Sequence, residues 1–270
     1  MDHPSPFLPH LPVERLAQRY NAAKGNELDS GKMRSPESSS ALAANAFGFF
    51  LDAPERLPPL PGMEGVGWPS QSVLPEVCVR FPWAGGLHPW LDVLIETPTH
   101  LIGIESKRFE PYRSLGHGTF SEAFQRDVWG VRMTGFQEVR DAISNAGSAM
   151  TDGNPTVGSA ATAFDGIDAA QLVKHALGLY TQARRRTPPK RAVLCYLYAN
   201  PEKWPDGRAV DPGRRVLHTR AIANFAVAVQ RCDVQFVALT YTALLRSWLA
   251  SADPGLQGHA NAIQVTFDIP

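Results

Sequence analysis

The sequence contains few cysteines and no cysteine or histidine pattern with metal-ligand spacing. Cys78, Cys195 and Cys232 lie far apart in a chain of 270 residues, and no C-x-x-C pair occurs that could begin a zinc site. The histidines show neither H-x-H nor H-E-x-x-H spacing. We therefore expect reduced, partly buried thiols and no zinc centre built from these residues.

The chain also lacks a charge bias and a long apolar run. It carries 26 basic and 26 acidic side chains, with 44% hydrophobic and 19% charged residues, which is an ordinary globular composition. The first residues lack the basic region and apolar core of a signal peptide, and no apolar run approaches the ~20 residues that span a membrane. These absences predict a cytoplasmic protein with no membrane partner.

A mixed α/β domain with insertions can accommodate a chain of this length. We predict a single domain over residues 1–270, with an N-terminal extension at 1–34 and an insertion at 108–168. Gly, Ser and Thr dominate residues 145–162 of this insertion, which predicts a loop there, whereas residues 121–144 show broken helix-like spacing.

A helix is predicted from Pro36 to about residue 51. Ser35 is a suitable N-cap, and proline is favoured at the first helical position. Glu37 then falls at helical spacing with the small residues Ala41 and Ala44, which places a carboxylate at the entrance of the helix.

Alternation and apolar runs predict the remaining elements. In chain order they are strands over residues 73–81, 90–96 and 100–106, a helix over 168–186, a strand over 191–199, a helix over 214–232, a strand over 234–241 and a helix over 242–250.

The second and third strands form a hairpin that carries the most informative residues of the chain. If Glu96 and Leu101 close its turn, Asp92 lies directly opposite Glu105, with Cβ atoms roughly 4.5–5.5 Å apart, close enough to share one cation. Lys107 projects to the same side as Glu105, because side chains alternate along a strand. The opposite side is apolar and anchors the hairpin in a core through Leu91, Val93, Ile95, Ile102 and Ile104.

The spacing is more specific than the acid-x-Lys triplet alone. Such a triplet is expected ~0.6 times by chance in this composition, and a second acid at the opposed position reduces this to roughly one in fifteen. The alternative is that Asp92, Glu96, Glu105 and Lys107 form the solvated face of the hairpin, with a cross-strand ion pair that contributes little to stability. The residues alone leave both interpretations open.

The order of elements and these motifs resemble a known superfamily. With "PWLD" ending in Asp92 and "ESK" giving Glu105, Ser106 and Lys107, the sequence is similar to the restriction-endonuclease-like PD-(D/E)xK nucleases. The stretches "SPESSSALAANAFG" and "LDVLIETPTHLIGIESKRFEPYR", followed by "AAQLVKHALGLY", resemble a bacterial branch of that superfamily. Pro89 stands three residues before Asp92 instead of next to it. The resemblance covers about residues 30 to 250. It implies an α+β core with a central mixed sheet flanked by helices, in the order α-β-β-β-α-β-α-β, and an insertion after the third strand.

The resemblance also implies site residues and a cofactor. Asp92, Glu105 and the backbone carbonyl of Ser106 would bind Mg²⁺ or Mn²⁺. Lys107 would stabilise negative charge that develops on the phosphate. Glu37 resembles an additional acid of the first helix in this superfamily, although an acid at a helix N-terminus is equally explained by the helix dipole.

Further polar residues are candidates for the same site. Gln171 and Lys174 resemble polar residues that the helix after the third strand directs into such sites, and a solvated helix face is the alternative. Tyr112, Arg113 and the run Arg184 to Arg186 are candidate contacts to a nucleic-acid backbone.

Three functions are therefore open at the level of the sequence. The first is a Mg²⁺-dependent nuclease that acts on DNA, as a monomer or a homodimer. The second is a member of the same fold that binds nucleic acid or a protein without cutting. The third is an enzyme that uses a carboxylate-bound metal on another substrate, which the resemblance disfavours.

Overall fold

A computed structural model of the chain describes residues 5–23, 27–113, 118–152 and 163–270. Its α-helices and strands follow in chain order, and they are α1 (Val13–Ala22), α2 (Ser39–Gly48), β1 (Ser72–Cys78), β2 (Trp90–Glu96), β3 (His100–Lys107), α3 (Thr134–Asp152), α4 (Ala169–Arg184), β4 (Arg191–Tyr198), α5 (Pro212–Val229), β5 (Val234–Thr240), α6 (Tyr241–Leu249) and α7 (Pro254–Phe267). Short 3-10 turns occur at Lys32–Arg34, Pro54–Arg56, Glu110–Tyr112, Glu122–Gln125 and Val131–Met133.

The five strands form one mixed sheet in the order β1-β2-β3-β4-β5. The pairs β1·β2 and β2·β3 are antiparallel, whereas β3·β4 and β4·β5 are parallel. In the β2·β3 hairpin Glu96 lies opposite Leu101 and Val93 lies opposite Ile104. This is the register predicted from the sequence, and the paired residues end at Val93 and Ile104, one position before Asp92 and Glu105.

Helices cover both faces of the sheet, and each face has its own hydrophobic cluster. One cluster joins Val93, Ile95, Ile102 and Ile104 to residues of α1, α2, α6 and α7. The other joins strand residues such as Leu94 to residues of α3, α4 and α5. The chain is therefore an α+β fold with a five-stranded mixed sheet between two helical layers, which confirms the predicted fold class at this level.

The position of Leu91 differs from the prediction. Its side chain belongs to the cluster under α4 instead of the cluster that contains Val93. A glycine lies on the neighbouring strand, and a Cβ at Gly103 would approach Leu91 Cδ1 to 2.8 Å and Leu179 Cδ2 to 3.1 Å. Leu91 and α4 thus fill the space that the missing side chain leaves.

Several predicted boundaries are also wrong. Helix α2 begins after Ser38, whose hydroxyl oxygen accepts from the backbone N–H of Ala41, so Ser35 is not the N-cap and Glu37 precedes the helix in a turn. The predicted loop at 145–162 is helical in α3 up to Asp152, and its remaining part lies outside the described residues. Helix α7 was not predicted. None of the described helices is both long and apolar enough to cross a membrane.

Candidate active site

The carboxyl end of β3 opens into a cleft with a volume of about 470 Å³. We call it the carboxylate cleft. Its lining includes six of the candidate residues from the sequence, which are Glu37, Asp92, Glu105, Ser106, Lys107 and Gln171, but not Lys174. Strands β2 and β3, the turn before α2 and the first turn of α4 supply them.

Glu105 is the most deeply buried acid of the cleft, with 1% of its surface exposed. Its Oε1 lies 2.5 Å from Lys107 Nζ, and its Oε2 lies 2.9 Å from His175 Nδ1. Lys107 comes from the same strand two residues later, so alternation aims both side chains at the same space. The solvated-face alternative for these residues is therefore wrong.

For both Glu105 and Lys107, the neighbouring charges together change the pKa more than burial does. Burial alone would raise the pKa of the Glu105 carboxyl, but the opposing effects of Lys107 and His175 lower it to about 2. Burial alone would lower the pKa of Lys107, but the charges of Glu105 and Asp92 raise it above its usual range. The two side chains are therefore ionised across the neutral pH range.

Asp92 lies beside this pair at the start of β2. The backbone N–H of Ser106 donates to Asp92 Oδ2 at 2.7 Å, which ties the two strands together next to the carboxylates. Burial and the charge of Glu105 raise the pKa of Asp92 well above its ordinary value, against the opposing effects of Lys107 and the Ser106 N–H. A cation in the cleft would favour the ionised form of Asp92.

The hydroxyl of Ser106 contacts Ser39 and Tyr241 instead of Asp92, Glu105 or Lys107. Its Oγ lies 2.7 Å from Tyr241 Oη and donates to the carbonyl of Ser39 at 3.2 Å. The hydroxyl therefore joins β3 to α2 and α6, and only the backbone of Ser106 is a candidate ligand.

Glu37 reaches the cleft from the turn before α2. Its carboxylate pairs with the guanidinium of Arg113, which also lines the cleft. Glu37 and Asp92 thus line the same cleft, although Glu37 lies outside the helix that was predicted to carry it.

Helix α4 presents two polar residues to β3. Its N-cap Asp168 accepts from the backbone N–H of Gln171, and Gln171 Oε1 accepts from Lys107 Nζ at 2.9 Å. His175 follows one turn later on the same helical face and contacts Glu105. Lys174 turns elsewhere, since its Nζ lies 5.2 Å from the centre of the Phe120 ring.

Sequence reasoning missed three residues of this region. His175 could have been found from its i, i+4 spacing to Gln171, but the spacing alone does not reveal the partner of either residue. Glu76 lines the cleft from β1 with a φ of 49°, which is uncommon for a residue other than glycine. Burial and the charges of Glu27 and Glu105 raise the pKa of Glu76 to about 7. Glu110 accepts from the hydroxyl of Ser39 and, at 2.8 Å, from the backbone N–H of Arg108.

The donor chemistry of the cleft suits a hard divalent cation. Asp92 Oδ1 has no protein partner within the described residues, and each oxygen of Glu105 keeps a lone pair beyond its contact with Lys107 or His175. No group of three or more Asp, Glu, His or Cys side chains in the described residues is arranged to hold a metal by itself. Two carboxylates and water nonetheless fit Mg²⁺, which commonly takes one or two protein carboxylates.

Two candidate backbone contacts from the sequence are engaged elsewhere. Tyr112 is buried and its hydroxyl donates to the carbonyl of Ala199 at 2.9 Å, while Arg186 pairs with Glu96 at 2.9 Å. Arg113 alone of these candidates lines the cleft.

Comparison of the chain with protein-family models, curated proteins and solved structures gives no match.

Proposed function

We propose that the protein is a metal-dependent nuclease that hydrolyses phosphodiester bonds of DNA at the carboxylate cleft. The observation that carries this proposal is the convergence of Asp92, Glu105 and Lys107, with Lys107 Nζ 2.5 Å from Glu105 Oε1. When α3 is counted as part of the predicted insertion at 108–168, the order α2-β1-β2-β3-α4-β4-α5-β5 supports it, because the resemblance to the PD-(D/E)xK superfamily implies the same order.

The charge of the cleft gives a reason for a metal. Six acids line it, against the cations Lys32, Lys107 and Arg113, and the acids are Glu27, Glu37, Glu76, Asp92, Glu105 and Glu110. Such a cleft repels a phosphodiester anion unless cations compensate its charge. Asp92, Glu105 and the Ser106 carbonyl would hold Mg²⁺ or Mn²⁺, which would supply Lewis-acid stabilisation and a more acidic bound water.

Lys107 would stabilise the negative charge that accumulates on the phosphate during hydrolysis. Its ammonium group is held in place before substrate binds, by Glu105 on one side and by Gln171 at 2.9 Å on the other. Preorganised charge of this kind costs no rearrangement during the reaction. Glu37 and Arg113 form an ion pair at the same cleft, where the arginine is available to a phosphate oxygen of the nucleic-acid backbone.

A second candidate function is nucleic-acid or protein binding without cleavage by the same fold. The observation that favours it is that both oxygens of Glu105 already contact a protein nitrogen, Lys107 Nζ and His175 Nδ1. A metal would have to share them. The two functions differ in one measurable property, which is metal-dependent cleavage.

The decisive experiment incubates the purified chain with end-labelled duplex DNA, single-stranded DNA and RNA. Each substrate is tested with Mg²⁺, with Mn²⁺ and with EDTA. We expect cleavage of DNA with either metal and none with EDTA. The matched control is Asp206→Ala, which removes an exposed acid that pairs with Arg208 in a loop and does not line the cleft. Binding without cleavage under every metal condition would support the second function.

A further inference from the structure

A second cavity lies at the opposite end of the sheet from the carboxylate cleft. It has a volume of about 570 Å³ and is bounded by the first residues of β3, β4 and β5 and by the last turns of α4. We call it the arginine pocket, after its lining residues His100, Arg132, Tyr180, Arg184, Lys190 and Arg191. Strand β3 begins at His100 and ends at Lys107, so roughly 23 Å of strand separates the two sites.

The pocket collects positive charge that the protein does not neutralise. Four cations line it against one carboxylate, that of Asp233. Arg132 pairs with Asp233 at 3.2 Å, and Lys190 Nζ lies 2.7 Å from Glu96 Oε1. Within the part of the chain that the structure describes, neither Arg184 nor Arg191 has an acid within ion-pair distance. Two guanidinium charges are therefore left for a ligand.

The walls of the pocket indicate which part of a ligand they recognise. The Tyr180 ring is covered by the Arg184 guanidinium, whose Cζ lies 5.4 Å from the ring centre, and the Tyr180 hydroxyl accepts from Arg184 Nη1 at 3.2 Å. Among the residues that the structure describes, the one other aromatic ring that lines the pocket is that of His100, which is buried. Recognition must therefore rest on charge and hydrogen bonds, because no open aromatic face is offered to a base.

We propose that the arginine pocket binds a phosphate group through Arg184 and Arg191. The planar guanidinium fork matches two phosphate oxygens, and it forms stronger hydrogen bonds with an anion than with a neutral acceptor. The volume is within the range of small-molecule sites and exceeds the needs of a chloride ion. The phosphate belongs either to a small phosphorylated molecule or to a polynucleotide. The proposal does not rest on nuclease activity.

The test is calorimetric titration of the full chain with inorganic pyrophosphate. EDTA is present so that the carboxylate cleft holds no metal, and ionic strength is fixed with NaCl so that screening is constant. We expect the parent to bind, and we expect the dissociation constant to rise at least about tenfold in Arg184→Gln and in Arg191→Gln. Arg208→Gln is the matched control, since Arg208 is an exposed arginine that does not line the pocket. It should bind like the parent.

Further variants and ligands separate the remaining alternatives. Arg184→Lys and Arg191→Lys each retain the positive charge and lose the guanidinium fork. Their affinity for pyrophosphate should therefore lie between those of the parent and the glutamine variants. A thymidine oligonucleotide that displaces pyrophosphate identifies a polynucleotide phosphate as the ligand, whereas failure to compete identifies a small phosphorylated molecule. The proposal is overturned if the parent does not bind pyrophosphate, or if the double glutamine variant binds it as tightly as the parent.

Discussion

At the scale of single residues, Glu105 is a buried anion held between two partners from different elements. Lys107 belongs to its own strand, and His175 belongs to α4. An ionised carboxylate in such a position is stable only while it is paired and hydrogen-bonded. Each of the two partners therefore has an effect on folding that can be separated from its effect on the proposed cleavage reaction.

Lys107→Ala should reduce DNA cleavage by about a hundred- to a thousandfold, which corresponds to the ~2.7–4 kcal/mol lost with one preorganised donor to developing negative charge. The measurement is kcat/KM at saturating Mg²⁺. Metal affinity should not fall, because Lys107 is not a proposed ligand and its removal frees Glu105 Oε1 for the ion. Lys203→Ala, in an exposed loop, is the control. Undiminished cleavage by Lys107→Ala would remove the residue from the proposed mechanism.

Asp92→Ala should impair both metal binding and cleavage. The change removes one of the two proposed carboxylate ligands and leaves Glu105 to hold the ion with its two protein partners still in place. The measurement is a Mg²⁺ titration by calorimetry, run beside Lys107→Ala. Equal metal affinity in Asp92→Ala and the parent would contradict the assigned role.

His175→Ala should lower the free energy of unfolding by about 1–3 kcal/mol, the cost of leaving a buried polar atom without its partner. Urea denaturation of the parent, His175→Ala, Glu105→Gln and the double variant measures this in a double-mutant cycle. We expect a coupling energy of about 0.5–3 kcal/mol between the two positions. Additive single effects would show that the 2.9 Å approach of His175 to Glu105 contributes nothing.

At the scale of elements, the cleft depends on how α4 begins. Asp168 caps this helix by accepting from the backbone N–H of Gln171, the residue that contacts Lys107. Loss of the cap therefore affects both the stability of the protein and the position of the Gln171 side-chain amide.

Asp168→Ala should cost about 1 kcal/mol of stability, as loss of an N-cap usually does, and should also reduce cleavage. Asp211→Ala is the matched control, because Asp211 caps α5 in the same way and does not line the cleft. Both variants should lose similar stability in urea denaturation, and only Asp168→Ala should lose activity. Equal activity losses would mean that the effect is global.

Much of the fold was predictable because the strands of this sheet have clear local signals. Strand β2 has the predicted bounds, and the hairpin register follows from its short turn. Helix α7 was missed because two glycines and an asparagine weaken its helical propensity, while the tertiary burial of Leu256, Ala260 and Ile263 stabilises it. A local sequence pattern does not predict the tertiary burial of these residues.

The candidate site was predictable to the extent that hairpin geometry specifies it. Asp92, Glu105 and Lys107 come from two adjacent strands whose register the sequence encodes. The contact of His175 with Glu105 and the position of Glu76 in the cleft were not predictable, because they depend on the packing of α4 and on a left-handed backbone conformation in β1. The roles of all these residues stay predictions.

At the scale of the whole molecule, two buried histidines make stability depend on pH. Burial lowers the pKa of His218 to about 4, and burial, together with the neighbouring His10, lowers the pKa of His259 to about 4. The unfolded chain takes up protons near pH 6.5, whereas the folded chain does not until about pH 4. Each histidine therefore lowers stability as the pH falls from 6.5 towards 4.

His218→Gln and His259→Gln should each reduce the loss of stability between pH 7 and pH 5 by about 2 kcal/mol. The measurement is urea denaturation of each variant at both pH values. The readout is the difference within each variant, so the basal cost of the substitution cancels. A pH dependence as steep as that of the parent would contradict the assignment of these groups.

The parallel pairing of β3 with β4 has a consequence for the order of folding. The β1-β2-β3 meander is built from neighbouring segments, whereas β4 joins β3 only after the long crossover that begins at Lys107 is closed. The segment that closes it carries His175 on α4 and then β4, whose Tyr196 lies opposite Glu105. Strand β4, which covers Glu105, and helix α4, which carries its second partner His175, thus pack against β3 in the same step. An early meander leaves this carboxylate in water, and no intermediate has to bury it unpaired.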